Sequence, residues 1–362
     1  MCTVANSVDN LDATIHPLLR FLHMTSLAFV FPGQGSQAVG MGRDVYESSA
    51  AARATFDEAD RVLGYKLSEV CFDGPAERLN DTTVAQPAVL ATSIALFEAM
   101  VESVTQKIGR RVTDGSEPRG VMALPEHLRP QFVAGHSLGE FTALVTAGVL
   151  PFSDALRLVA ERGKLASTRG ARGAMAAIIG LSAQDVERVI AETVGSGSVV
   201  VANDNGPMQV TIAGDADGIR AVTEALDKRG AKKIVPLRIS APFHLPDMGR
   251  IGPDLLAFMQ TLRFREPVVP IVANVSALPH LTGPAIQEAL VRHLSNRVEW
   301  LKSVRYMVER GASTFVEIGA GQVVNGLVKR IADVKLVNVS DTGSLAGALR
   351  TLGDRAHSVI AR

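Results

Sequence analysis

The 362-residue sequence predicts an α/β fold with a largely parallel central sheet. Two observations predict it. Short apolar, β-branched or aromatic runs alternate with longer amphipathic stretches, the pattern of repeated strand–helix units. The 47% hydrophobic content then suffices for a sizeable core, in one large domain or a large domain with a small partner.

Taken in order, the strands are expected at 27–31, 131–134, 174–180, 199–202, 208–213, 233–239, 270–274 and 314–318. Amphipathic helical stretches include 43–62, 84–107, 138–149, 153–169, 183–194, 216–229 and 299–310. Residues 174–238 read differently: "AMAAIIG", "AQDVERVIAET", "SVVVAN", "MQVTIAG", "DGIRAVTEALDKRG" and "AKKIVPLRI" give strand, helix, strand, strand, helix, strand. That βαββαβ order predicts a ferredoxin-like subdomain over 173–238, inserted into a body formed by 24–172 and 239–362. Residues 106–130 are rich in Gly, Pro and charge without a period, and read as a surface excursion.

Composition excludes several classes. The 37 basic and 37 acidic residues cancel, so no global field points to nucleic acid or an anionic membrane. Cys2 and Cys71 are too few for a disulfide framework and suit a reducing, cytoplasmic setting. No apolar run of bilayer length stands out. Residues 1–23 carry Asp9, Asp12 and the single basic Arg20, without the basic start and apolar run of a secretory signal. They read as a disordered extension or a mis-assigned start, left out of the fold.

The chemistry begins at "FVAGHSLGEF", residues 132–141, where G-x-S-x-G joins a strand to a helix. Flanking glycines permit a sharp turn, and the Ser137 hydroxyl projects at a helix N-terminus suited to a developing oxyanion. A serine nucleophile needs a general base. His136 is adjacent, but successive side chains at such a turn diverge, so it reads as a packed structural histidine. His244, in "SAPFHLPDM", lies just past another strand end, where reactive loops gather, and is the stronger candidate. His280 and His293 lack that placement. No carboxylate is placed to orient His244; a backbone carbonyl can do so instead. On the helix from Ser153, Arg162 shares the apolar side with Ala155, Leu158, Val159, Leu165 and Ala166. Periodicity leaves two readings open: an internal salt bridge or packed stem, and a fork for a substrate carboxylate.

These residues belong to an ordered series: "FPGQGSQ" (31–37), "QPAVLA" (86–91), "GHSLGE" (135–140), "ERGKL" (161–165), "GAMAAIIGL" (173–181), "SAPFH" (240–244), "VRHLSNRVEW" (291–300) and "EIGAGQVV" (317–324). Over roughly residues 25–345 the chain resembles the malonyl-CoA:acyl carrier protein transacylases of bacterial fatty-acid synthesis, and is similar to the acyltransferase domains of polyketide synthases. The resemblance implies an α/β-hydrolase-like large domain with an inserted ferredoxin-like subdomain. It implies Ser137 as the nucleophile, His244 as the base, the N–H groups of Gln34 and Leu138 as the oxyanion hole, Arg162 as the partner of the malonyl carboxylate, and the backbone carbonyl of His293 as the group orienting His244. Gln is common in the family at the His293 position. It further implies malonyl-CoA as substrate, acyl carrier protein as partner, no cofactor or metal, and a monomer. Phe243 and Leu138 resemble a malonyl-type pocket, with plain packing as the alternative, and Lys329, Arg330, Arg292 and Arg297 are candidates for a basic face toward an acidic carrier. A discrete polyketide-type acyltransferase, an acyl-thioester serine hydrolase and a non-catalytic carrier-binding scaffold are the competing readings.

Overall fold

A computed structural model describes residues 26–107, 120–195, 197–237 and 241–360. The expected extension over 1–23, the middle of the 106–130 stretch and the end of the 233–239 strand lie outside the described residues.

The chain runs from β1 (Leu27–Phe31) through α1 (Arg43–Ser48), α2 (Ala50–Leu63), α3 (Leu67–Asp73), α4 (Ala76–Asn80) and α5 (Thr82–Lys107) to β2 (Phe132–Gly135), α6 (Gly139–Thr146) and α7 (Phe152–Arg169). There follow β3 (Ala174–Ile179), α8 (Ala183–Val194), β4 (Val199–Gly206), β5 (Gln209–Gly214), α9 (Ala216–Lys228) and β6 (Lys233–Pro236). The chain closes with α10 (Gly252–Met259), β7 (Ile271–Val272), β8 (Pro279–His280), α11 (Gly283–His293), α12 (Trp300–Glu309), β9 (Thr314–Ile318), α13 (Val323–Ile331), β10 (Lys335–Val339) and α14 (Thr342–Ile360).

Two sheets result. The larger has the order β10-β9-β1-β2-β7-β8 and is parallel except for its β7–β8 edge. Its central strand β1 is buried at every position, as a strand covered on both faces must be. Leu27, Phe29 and Phe31 enter the core on one face, while Ala28 and Val30 enter the core built on Trp300, Phe315 and Val328. The smaller sheet is antiparallel throughout, in the order β4-β5-β3-β6. It has its own core, in which Ile178, Val201 and Ile212 meet Val186 and Val222 of α8 and α9. Its edge strand β4 is pinned to the body where Asp204 N–H donates to Val298 O and Val298 N–H to Ala202 O, each at 2.9 Å. Helix starts are local: the side chains of Ser49, Ser182, Asp215 and Thr282 accept from first-turn N–H groups of α2, α8, α9 and α11.

Several expectations need correction. The 43–62 helix is two helices, because Ser49 leaves α1 in extended conformation and caps α2. The 131–134 and 208–213 strands each sit one residue later, and 270–274 shortens to β7, since the chain turns at Ala273, whose carbonyl accepts from Ala277 N–H. The edge strands β8 and β10 escaped notice; β10 is an edge with exposed Lys335, so its apolar signal is weak. Residues 120–130 are no surface excursion: they form two 3-10 turns that bury Val121, Leu124 and Leu128. Among the described residues one helix, over Thr82–Gln106, is after all long and apolar enough to cross a membrane, with mean hydropathy 1.6, but 89% of its most apolar 18-residue window is buried inside the fold.

The register of β1 against β2 places Phe31 opposite Gly135, so the loops leaving both strands emerge side by side. Where β2 turns into α6, a Cβ on Gly135 would lie 1.8 Å from the carbonyl carbon of Gly139, and one on Gly139 would lie 2.2 Å from Phe31 O. Both obstacles are backbone and cannot swing aside. Gly135→Ala is therefore expected to cost about 3 kcal/mol or more, read as a fall in the urea midpoint. Gly326→Ala, mid-helix in α13 with open space at its Cβ, is the control: it should gain about 0.5–1 kcal/mol.

Candidate active site

The tight turn pushes Ser137 outward. Its φ is 50°, a left-handed value that costs a non-glycine residue about 1–3 kcal/mol and persists only where the surroundings enforce it. Its Oγ lies 2.8 Å from His244 Nε2, across 107 residues of sequence. His244 also has positive φ, 68°, and its N–H donates to Leu294 O at 2.9 Å. The tautomer follows from the partners. Nδ1 faces the carbonyls of His293 at 2.9 Å and Asn296 at 3.2 Å, which only accept. Nδ1 therefore carries the hydrogen, and Nε2 presents a lone pair to the Ser137 hydroxyl. The carbonyls of His293 and Asn296 thus share this N–H; the second has no counterpart among the residues expected from the sequence. The His293 ring plays no part in these bonds. It is 1% exposed, with its centroid 4.9 Å from that of His244.

His136 turns away, as expected. Its Nε2 is 2.7 Å from Asn205 Oδ1, and its ring meets Trp300 edge-on at 5.5 Å. Asn205 Nδ2 donates to Thr211, so its Oδ1 accepts and His136 Nε2 is the donor. His280 is also occupied elsewhere, with Ser276 and the Ala285 carbonyl.

Gln34 and Leu138 meet because β1 and β2 end together. A Cβ on Gly33 would lie 2.3 Å from His136 O and 3.5 Å from Leu138 N. Among the described residues neither the Gln34 nor the Leu138 N–H donates a hydrogen bond. Two unspent donors therefore stand beside a serine at the start of α6, a setting suited to an oxyanion. The Leu138 side chain itself is buried in the main core, as the plain-packing alternative has it, and Phe243 belongs to the same cluster.

Arg162 is 1% exposed on α7. Nη1 donates to Gln86 Oε1 at 2.7 Å, while Nε and Nη2 have no partner among the described residues. Those two form the side-on fork that takes a carboxylate through parallel bonds. The guanidinium lies over the Phe243 ring, 3.8 Å from its centroid, a contact worth roughly 2 kcal/mol when desolvated. Two unmade buried N–H bonds cost about 1–3 kcal/mol each, so aromatic contact does not satisfy the group. The salt-bridge reading fails, since Arg162 makes no ion pair among the described residues. Gln86 continues to Thr82 and from there to the Gln34 side chain, joining the fork to the oxyanion loop.

The local electrostatics are those of a dry site. Burial first, then the charge of Arg162, push His244 down to about 3. His293 is pushed well below its usual range by burial and by His244. Burial lowers Arg162 to about 9, with Glu140 opposing, so it is cationic at neutral pH. Burial raises Glu140 to about 7, against its bond from Asn274 N–H. A cleft of ≈ 350 Å³ opens beside His244 between α8, β4 and the Ser295–Arg297 turn, a volume suited to a small-molecule group. Of the four cations expected to form a basic face, Arg297 is neutralised by Glu187 at 2.8 Å and Glu299 at 3.3 Å, and Arg330 is tied to Gln209. Arg292 and Lys329 are exposed.

Sequence reasoning missed Gln86, Asn296 and Asn274. Asn274 accepts from Ser137 N–H at 2.8 Å and donates to Gly135 O at 2.6 Å. Its place at the end of an apolar run was the one available signal.

The acyl transferase domain model matches residues 28–108 and 123–349. The chain is 38% identical over 333 residues to a malonyl CoA-acyl carrier protein transacylase of Bacillus subtilis, covering 91% of this chain and 98% of that one. It is 40% identical over 329 residues to the protein of that name from Escherichia coli K12, covering 90% and 99%. Its fold is similar to that of an acyl-carrier-protein S-malonyltransferase from Bartonella henselae, with TM-score 0.80, 38% identity and coverage of 90% and 99%. A malonyl-transacylase solved with a type II PKS acyl-carrier protein is similar at TM-score 0.79, 38% identity and the same coverage.

With His244 held near 3, Ser137 labelling by an uncharged fluorophosphonate is expected to stay fast from about pH 8 down to about pH 5, because Nε2 remains unprotonated. Intact-mass kinetics across that range check this; a loss centred near the ordinary histidine value of about 6.5 would contradict it.

Proposed function

The chain belongs to the acyl transferase domain family, and from that premise we propose that it moves malonyl from malonyl-CoA to the phosphopantetheine thiol of an acyl carrier protein. The observation that carries the reading is the buried Arg162 fork, unpartnered among the described residues, stacked on Phe243 beside the Ser137–His244 pair. A thioester whose acyl group ends in a carboxylate satisfies both. The relatives named above support the substrate and the acceptor.

In the first half-reaction Ser137 Oγ attacks the thioester carbonyl while His244 Nε2 takes its proton. The oxyanion rests on the N–H groups of Gln34 and Leu138. The carbon–sulfur bond breaks, and His244 returns the proton to the departing CoA sulfur. In the second, His244 takes the proton of the carrier thiol, whose sulfur attacks the Ser137 ester; the serine oxygen leaves and recovers the proton. The carbonyls of His293 and Asn296 hold the imidazole throughout, in place of a carboxylate. When the substrate carboxylate pairs with Arg162, it offsets the positive charge that lowers His244, so the base strengthens as the site fills. We also read 24–172 with 239–362 as an α/β-hydrolase-like body and 173–238 as a ferredoxin-like insert; the order β4-β5-β3-β6 supports the latter.

Incubation with malonyl-CoA alone should leave a malonyl ester on the Ser137 peptide by mass spectrometry, and carrier protein should then discharge it. Rapid free malonate with no loaded carrier would instead indicate a hydrolase, and no adduct would indicate a scaffold. Losing one partner of a buried charge pair costs about 2–5 kcal/mol, so Arg162→Ala should lose roughly 30- to 3,000-fold on malonyl-CoA. It should gain relatively on acetyl-CoA, and an equal fall on both substrates would remove the carboxylate role from Arg162.

A further inference from the structure

We infer that Asn274 is a positioning residue whose side-chain amide holds the strained Ser137 turn in its reactive geometry; the inference rests on the acyl-transfer reading above. The Gly135 carbonyl stands at the end of β2, and the turn takes the Ser137 N–H beyond that strand. Asn274 bonds both from one amide: Nδ2 donates to Gly135 O at 2.6 Å and Oδ1 accepts from Ser137 N–H at 2.8 Å. A carbonyl only accepts and an N–H only donates, so the amide has one orientation. Its own backbone is held as firmly. Asn274 N–H donates to Glu140 Oε2 at 3.1 Å, and Glu299 N–H donates to Asn274 O at 2.8 Å. The residue is 1% exposed. It therefore ties the turn to the first turn of α6 and to the segment entering α12.

Two consequences follow. A residue at φ 50° keeps that value only while its surroundings enforce it, and this amide bonds the backbone on both sides of the serine Cα. The bond also commits the N–H of Ser137 itself, leaving the N–H groups of Gln34 and Leu138 to face the developing oxyanion.

Hydrogen exchange of the Ser137 amide in the unaltered full chain is the first test. Exchange slowed at least about 100-fold relative to unstructured backbone is expected, and unprotected exchange overturns the proposal. The second uses Asn274→Ala and Asn274→Asp, the latter keeping the shape but turning an oxygen toward the Gly135 carbonyl. Ser137 labelling by a fluorophosphonate and kcat for malonyl transfer should each fall about 100-fold, the effect of misplacing a reacting atom by about 1 Å. KM and the malonyl-to-acetyl preference should stay within about 3-fold, because Arg162 stands on α7. Folded variants that label at the parental rate, or that change in KM rather than kcat, overturn the proposal. If neither variant folds, the exchange measurement decides. A parent that labels with fluorophosphonate but accepts no malonyl would sink the transfer reading and leave the Asn274 test intact.

Discussion

The site depends on a steric constraint, the passage of β2 into α6 across the end of β1. The backbones of Phe31, Gly135 and Gly139 come so close there that no side chain fits between them. The chain must reverse within three residues, and Ser137 is driven into a left-handed conformation at its apex. The same reversal opens α6 with a free Leu138 N–H and brings it beside the Gln34 loop. One close crossing thus sets the serine turn, the two N–H groups beside it and the backbone groups that Asn274 bonds.

The second organising feature is charge held out of water. Glu140, Arg162, His244 and His293 are all at least 97% buried, and burial is the largest influence on each. Burial opposes charge on every one of them, and Arg162 further opposes it on both histidines. Arg162 keeps its charge, with Phe243 beneath it and Gln86 at one end, but its fork goes unmatched. A buried guanidinium with two unmade N–H bonds is an unfavourable arrangement by itself. Arg162 is second only to burial in lowering His244, so a charge on α7 acts on the imidazole beside Ser137.

Local regularity was legible in the sequence. Strands 27–31 and 314–318 and the helix 183–194 fell where expected, because the apolar run LAFVF and the Phe, Val and Ile of TFVEI mark strands and Ser182 and Gly195 bracket the helix. Helix 43–62 and the edge strands β8 and β10 were not legible: a one-residue break leaves helical spacing nearly intact, and edge strands carry a weak apolar pattern. The long apolar stretch of α5 was underestimated as well, and only its burial in the fold separates a core helix from a spanning one.

Within the site, sequence alone determined which residue types stood at strand ends. The glycine spacing marked Ser137, the position after a strand marked His244, and a charge on an apolar helix face marked Arg162. Tertiary structure decided how they meet. It separated His136 from its neighbour, gave Arg162 Gln86 and no ion pair among the described residues, neutralised Arg297 and brought in Asn274 and the Asn296 carbonyl. The physical reason is range. Turn geometry and helical periodicity act over a few residues and leave a mark in the order of amino acids. A hydrogen bond spanning 107 residues, or the desolvation of a guanidinium, depends on which surfaces pack together, and no local pattern records that.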